Sequence, residues 1–389
     1  MSGSNSDFRP NPDRGVFLND LVGPEMLRKL VPEILALKAA NSEPITLYID
    51  SFGGNTFYAR SLRELLRSPD QDGSVRPLIT VVTGFAASSA ADLLAAGNYS
   101  LAYQHARIIC HGNRQEDREI TQERAWSLAK SLATSNEEFA LQYANDCIGR
   151  FIFRYCNQKS SFGDNRKVEG REGAADIDCF VEVLKNKVAP HLGRLLDRAY
   201  NQSRASESLD AFVSKKVQDA SAPARFAEFE INLLKGILDF ELESNPGQGW
   251  SFLQSGMEQL EEKFRLLIDR YLAHHQDAVI NQCLRWSEYF LEEEEQKVFE
   301  SFPDEESVKK LIEKISEHVR PIWFLLVSIG RLLQKGEYEL SAEDAYWFGI
   351  VDEVYGRDDL LSLREFLESG QEEDDSDSSS EPECAEVPS

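Results

Sequence analysis

Three short segments in the first third of the chain carry residues that could perform acyl transfer. A glycine pair, Gly53 and Gly54, follows a predicted strand, Ser88 and Ser89 begin an alanine-rich predicted helix, and His111 ends another apolar segment. Glycines let a carbonyl group approach backbone N–H groups closely, and such N–H groups stabilise an oxyanion. A serine is activated by a neighbouring histidine base. The order therefore predicts an oxyanion hole, a nucleophile and a base.

The elements around the serine pair predict how it is held. Residues 78–82 form an apolar, β-branched segment typical of a buried strand leading to Gly84, and residues 90–96 are typical of a close-packed helix. The serines then lie at a strand-to-helix corner, where the helix amides and the positive end of its dipole face the site. Either Ser88 or Ser89 fits this position.

A purely structural role is the alternative for the serine. Most serines among alanines simply pack a helix against a sheet. The upstream glycine pair and the histidine at the end of the next predicted strand favour Ser88 as a nucleophile. His105 is a weaker candidate for the base than His111, because it lies in a polar connection typical of the surface.

The residues around Ser88 resemble those of the Clp protease proteolytic subunit. The family pattern is Gly-x-Ala-Ala-Ser, followed by a Leu-Leu-Ala-Ala-Gly helix end, and this chain has the two motifs at 84–88 and 93–97. Further matching blocks, in the family order, lie at 14–18, 47–54, 340–345 and 348–352. Separated blocks in the right order are a more specific signal than any one motif.

The resemblance implies an α/β fold of the ClpP/crotonase type, a repeated ββα spiral, and it assigns roles to residues. The family nucleophile falls on Ser88 and its base on His111. The oxyanion donors fall on the backbone amides of Gly54 and Ser89, with Gly53 supporting them.

Glu337 is the residue implied as the third member of the catalytic triad. The family has an aspartate at this position, three residues before the Leu-Ser-Ala block. A glutamate can accept the Nδ1 proton of a histidine, but its longer side chain needs a different backbone offset. An exposed loop carboxylate is the alternative, because residues 336–339 contain two glutamates.

The resemblance also implies a function. We expect a Clp-type serine endopeptidase that acts through an acyl-enzyme on Ser88, takes peptides or unfolded proteins, assembles as a homo-oligomeric ring and receives substrate from an ATP-dependent unfoldase. Two alternatives remain: a catalytically inactive structural or regulatory subunit of the same type, and a crotonase-like acyl-CoA enzyme, which also holds an oxyanion with paired amides.

Composition narrows the classes of partner. The chain has 389 residues and a formal net charge of −25, which argues against nucleic acid and anionic membranes as partners because both carry negative charge. Six cysteines form no metal-binding spacing, so we expect no metal and no cofactor. The polar amino-terminal segment lacks the pattern of a secretory signal, and the longest apolar run, 322–329, is too short to span a bilayer. We expect a cytoplasmic protein.

The length between the matching blocks predicts an insertion into the α/β domain. Helical periodicity recurs at 176–195, 209–240, 252–275, 278–299 and 305–318, typical of a large all-α insertion. The predicted order is a flexible segment at 1–13, the first part of the α/β domain with the start of a projecting handle helix at 14–144, the insertion at 145–329, the second part of the α/β domain at 330–356, a helix at 357–369, and a disordered acidic tail at 370–389.

Overall fold

A computed structural model provides the structure of the chain. It describes residues 8–70, 73, 75–114, 121–157, 187–199 and 305–364. The predicted helices between residues 209 and 299, the predicted acidic tail at 370–389 and most of the predicted flexible segment at 1–13 lie outside these ranges.

Seven strands among the described residues form one sheet. They are β1 (Gly15–Leu18), β2 (Ile45–Ser51), β3 (Leu78–Ala87), β4 (Tyr99–Tyr103), β5 (Arg107–His111), β6 (Glu337–Ser341) and β7 (Glu353–Tyr355). The order β1-β2-β3-β4-β7 is parallel throughout, while β5 pairs parallel with β3 and antiparallel with β6. Parallel strands need crossover connections, and helices supply several of them here.

The long strand β3 changes partner along its length. Residues 79–82 pair with β4, whereas residues 85–87 pair with β5. Its first five residues, 78–82, are all buried, as a strand covered on both faces requires. The change of partner brings the end of β3 beside the end of β5, and these two ends carry the serine pair and His111.

Helices cover the sheet. They are α1 (Pro24–Ala40), α2 (Thr56–Arg67), α3 (Ser89–Ala95), α4 (Gln122–Asn157), α5 (187–199), α6 (Glu305–Leu333) and α7 (Ala342–Trp347). The Asn55 side chain caps α2 by accepting a hydrogen bond from the Phe57 amide at 2.8 Å. Ser341 and Asp344 form a capping box at the start of α7. In the part of the chain that the structure covers, none of these helices has the length and apolar composition needed to cross a bilayer.

The predicted mixed α/β architecture is confirmed, and the parts of the predicted insertion that can be described are helical. Helix α4 runs on to Asn157, and α6 packs along it. The Trp323 indole N–H donates to Asn145 Oδ1 at 2.8 Å, and Arg331 forms a two-pronged pair with Glu137 at 2.7 and 2.8 Å. Buried residues of α4, α5 and α6 share one core with the sheet. An all-α insertion of the full predicted size remains a prediction.

The predicted helix at 357–369 begins later in the structure. Residues 357–362 are not helical and contain a turn at 358–359, where Arg357 pairs with the Asp359 carboxylate at 2.6 and 2.8 Å. Residues 363–364 are helical, and the rest of the predicted helix lies outside the described residues.

One buried arginine joins three parts of the fold. Arg150, on α4, donates from Nε to the Asp352 carboxylate at 2.7 Å and from Nη1 to the Ala95 carbonyl at 3.1 Å. Its Nη2 donates to Ser100 Oγ at 2.8 Å and to the Gly97 carbonyl. The guanidinium therefore connects the end of α3, strand β4 and the segment before β7 through groups that have little access to water.

We expect Arg150→Met to destabilise the protein by about 3–5 kcal/mol, because it leaves the Asp352 carboxylate buried without its cation. Urea unfolding monitored by circular dichroism measures the loss. Arg28→Met is the matched control, since the pair between Arg28 and Glu25 is exposed, and its loss costs at most about 1 kcal/mol. Equal effects of the two substitutions would contradict the role given to Arg150.

Candidate active site

Ser88 occupies a strained corner between β3 and α3. It is the N-cap residue of α3 with φ +55° and ψ −128°, and no other non-glycine residue in the described ranges has a positive φ. Its amide donates to the Ile109 carbonyl of β5 at 2.7 Å. Such a backbone conformation costs about 1–3 kcal/mol and persists where the surrounding structure enforces it, commonly at functional sites.

Accessibility separates the two serines that the sequence left as alternatives. Ser89 is 1% exposed, and its hydroxyl oxygen has no hydrogen-bond partner in the described part of the chain. Ser88 is half-buried, so its side chain can be reached from solvent. Only Ser88 of this pair presents a hydroxyl that a substrate could meet.

The glycine pair lies against this corner. Gly53 has φ +81°, and a Cβ atom at this position would lie 2.2 Å from the Ala87 carbonyl oxygen, 2.9 Å from Ser88 Cβ and 3.0 Å from the Ser89 amide nitrogen. Only a residue without a side chain fits there. The Gly53 amide is already used, because it donates to Ser51 Oγ at 3.1 Å.

The backbone amides of Gly54 and Ser89 have no hydrogen-bond acceptor among the described residues. The backbone around Gly54 is fixed by Val22, whose amide donates to the Gly53 carbonyl at 2.8 Å and whose carbonyl accepts from Asn55 at 2.9 Å. The Gly54 amide itself makes no hydrogen bond to the described residues. The amide of Ser89 is the first of α3 and therefore has no acceptor within the helix.

His111 ends β5 near the same corner. Ala87 is paired with Ile109 across β3 and β5, so His111 follows two residues beyond this pair. Its Nδ1 lies 2.8 Å from the Gly112 carbonyl oxygen. A carbonyl only accepts, so Nδ1 donates in this contact, and the neutral form of the imidazole then has its lone pair on Nε2. Within the described ranges, no hydrogen bond joins the Ser88 hydroxyl to the imidazole.

Glu337 lies directly opposite His111, on the neighbouring strand β6. Its carboxylate accepts a hydrogen bond from Arg114 Nη2 at 2.5 Å. This hydrogen bond is the largest cause of a pKa of Glu337 below its ordinary value, and His111 adds a smaller contribution. The structure therefore places Glu337 beside the histidine strand, with its carboxylate bound to Arg114 and with the imidazole Nδ1 bound to a carbonyl.

Two groups that contact the predicted site residues were not predicted from the sequence. The Gly112 carbonyl is a backbone group, so the residue type at this position does not predict its role. Arg114 follows His111 by three residues in a polar segment, and nothing in that pattern distinguishes it from a surface arginine. Gly53 lies against Ser88 and Ser89, and His111 ends the strand adjacent to them. The roles predicted for these residues and for Gly54 stay predictions.

Comparison with known proteins finds relatives of the first part of the chain. The Clp protease family model matches residues 9–146, about a third of the sequence. The ATP-dependent Clp protease proteolytic subunit 2 of Prochlorococcus marinus strain NATL2A is 34% identical over 106 residues, which are 26% of this chain and 50% of that protein. The subunit 2 of strain MIT 9312 is 34% identical over 102 residues, 25% of this chain and 48% of that protein.

A third relative comes from a different organism. The ATP-dependent Clp protease proteolytic subunit of Carsonella ruddii strain PV is 33% identical over 101 residues, 25% of this chain and 50% of that protein. The chain spans about half the length of these curated relatives. The resemblance seen in the motifs is thus confirmed: over residues 9–146 this chain is similar to the Clp protease family.

Proposed function

We propose that the chain is a Clp-type serine endopeptidase whose nucleophile is Ser88. The observation that carries the proposal is the strained Ser88 corner, which keeps a reachable hydroxyl beside two available amides. A serine that only packed a helix against a sheet would need neither the positive φ nor the close approach of Gly53.

The proposed reaction begins with proton transfer from Ser88 Oγ to His111 Nε2. The oxygen attacks the carbonyl carbon of the peptide bond, and the resulting oxyanion accepts hydrogen bonds from the Gly54 and Ser89 amides. The C–N bond breaks as the imidazolium returns the proton to the leaving amine. An acyl-enzyme remains on Ser88.

Water then releases the acyl group. His111 takes a proton from the water as it attacks the ester carbonyl, and returns the proton to Ser88 Oγ as the ester bond breaks. The Gly112 carbonyl holds the imidazole in the required tautomer. We assign Glu337 the role of third residue through charge: from β6 its carboxylate stabilises the imidazolium that forms in each half of the reaction.

Substrates and partners are proposed on the basis of the relatives. Their names describe proteolytic subunits of an ATP-dependent protease. We propose that this chain cleaves peptides or unfolded proteins in the cytoplasm, within a homo-oligomeric ring, and that an ATP-dependent unfoldase supplies its substrates.

A catalytically inactive subunit is the second candidate function. Two observations favour it: the Glu337 carboxylate is bound by Arg114, and no hydrogen bond links the hydroxyl of Ser88 to His111 in the described residues. Catalytic hydrogen bonds are often formed only in the substrate complex, so these observations do not outweigh the geometry of the corner.

Reaction with a fluorophosphonate tests the proposal. Ser88 Oγ would displace fluoride from phosphorus, with its proton passing to His111, and intact-mass spectrometry of the native assembly would show one adduct that maps to Ser88. We expect no adduct in Ser88→Ala, at least ~100-fold slower labelling in His111→Ala, and unchanged labelling in Ser127→Ala, an exposed serine of α4.

The Glu337→Gln variant tests the role proposed for this carboxylate. If Glu337 stabilises the imidazolium only through charge while the Gly112 carbonyl holds the tautomer, labelling slows by up to about 5-fold and does not stop, because exposed charge interactions are worth about 1 kcal/mol or less. If the unsubstituted chain is folded and assembled but is not labelled at Ser88, the peptidase proposal is wrong and the inactive subunit is supported.

Gly53→Ala tests the corner itself. The new methyl group would meet the Ala87 carbonyl, so we expect stability to fall by roughly 1–3 kcal/mol more than in Gly73→Ala. Gly73 is a matched control, because its φ of +82° carries the same backbone strain but no atom lies within 4 Å of its added Cβ. Thermal unfolding measures stability, and fluorophosphonate labelling of Ser88 should slow only in Gly53→Ala. Equal losses in the two variants would contradict the close packing.

A further inference from the structure

Strand β6 carries Glu337 at an edge of the sheet. It pairs antiparallel with β5, and no other strand in the described ranges pairs with it. The backbone groups along its second edge therefore have no strand to bind, and proteins usually cover such an edge with another element. The element that covers this edge determines how firmly Glu337 is held opposite His111.

The pairing of β5 shows which carbonyl of β6 points outward. Ile109 is paired with Glu339, but the Ile109 carbonyl accepts a hydrogen bond from the Ser88 amide on the other side of β5. In an antiparallel ladder, such a residue belongs to a pair that exchanges no backbone hydrogen bonds. The Glu339 carbonyl therefore points away from β5, towards the second edge of β6.

Helix α5 lies on this edge. The Arg198 guanidinium donates a hydrogen bond from Nη1 to the Glu339 carbonyl. The neighbouring residues Leu195, Leu196 and Ala199 are buried in the core that α5 shares with the sheet. Because these apolar residues fix the helix, the guanidinium holds β6 from a fixed position.

The same helix also holds the carboxyl end of β6. Ser341 is the last residue of this strand, and Asp344 Oδ2 accepts from its hydroxyl at 2.8 Å and from its amide at 3.0 Å. Asp344 Oδ1 accepts from Arg194 Nη2 at 3.0 Å and lies 2.8 Å from His191 Nδ1. One carboxylate thus joins α5 to the end of β6.

The partners of this carboxylate keep it charged. Burial raises the pKa of Asp344, but hydrogen bonds from His191, Ser341 and Arg194 outweigh burial and hold the pKa well below its ordinary value. The hydrogen bonds between Asp344 and α5 are therefore charge-assisted. Arg194 and Arg198 are four residues apart on one side of the helix, so the two attachments to β6 act together.

We infer that Arg194 and Arg198 of α5 are positioning residues of the proposed active site. They hold β6 in the position that keeps Glu337 opposite His111. The inference rests on the proposed peptidase function. Helix α5 lies within the range predicted for the insertion, 145–329, so this part of the chain contributes to the site through the strand that it holds, without contacting a substrate.

Hydrogen exchange of the assembled protein tests whether α5 holds β6. Arg198→Met removes the donors and keeps an unbranched side chain, so we expect the amides of 337–341 to exchange at least ~5-fold faster, with those of β1 unchanged. Arg198→Lys keeps a donor and should restore most of the protection. Arg28→Met is the control, because it removes an exposed cation from α1. Mass spectrometry of peptic fragments measures the exchange.

Fluorophosphonate labelling of Ser88 tests whether Arg198 acts through Glu337. Arg198→Met should slow labelling by ~2–5-fold, at most the loss in Glu337→Gln, because it misplaces the same carboxylate. In the Glu337→Gln background the substitution should cause no further slowing, since the charge that Arg198 positions is already absent. Arg194→Met, which removes a donor to Asp344, should follow the same pattern, and Arg198→Lys should label at close to the unsubstituted rate.

The outcomes distinguish the two proposals. If exchange of 337–341 is unchanged in Arg198→Met, if this variant labels at the unsubstituted rate, or if it slows labelling equally with and without Glu337→Gln, the positioning role is wrong and the peptidase stands. If Ser88 is not labelled in the unsubstituted chain, the peptidase and the positioning of its site both fail, while faster exchange of 337–341 would still show that α5 holds β6.

Discussion

The contact between Gly53 and the β3–α3 corner is the constraint on which the rest of the site depends. The end of β2 presses against Ala87, Ser88 and Ser89 so closely that no side chain fits at residue 53. Ser88 is held with a positive φ by this contact and by its amide hydrogen bond to Ile109. We propose that the same contact sets the Gly54 amide beside the first amide of α3, so that the proposed nucleophile and oxyanion donors share one packing arrangement.

The neighbouring strands and helix α4 fix the position of this corner. Strand β3 pairs first with β4 and then with β5, which carries the chain from the main sheet towards His111. Arg150 holds the far end of α3 to β4 and to Asp352, residues widely separated in the sequence.

The proximity of the glycine pair, the serine pair and the histidine segment could be predicted from the sequence, because each lies at the end of a predicted strand, and these strands are neighbours in the sheet. What the sequence could not supply depends on three-dimensional contacts. The choice between Ser88 and Ser89 follows from burial, and the partner of His111 Nδ1 is a backbone carbonyl. The helix expected at 357–369 begins only at residue 363, which the sequence pattern did not indicate.

The central claim is that the Ser88 hydroxyl works inside an oxyanion hole made by the Gly54 and Ser89 amides. A crystal structure of the assembled protein after fluorophosphonate treatment tests it most directly. The account predicts phosphorus bonded to Ser88 Oγ, a phosphoryl oxygen within hydrogen-bonding distance of both amides, and a positive φ at Ser88. A phosphoryl oxygen that contacts neither amide, or a Ser88 with an ordinary negative φ, would contradict it.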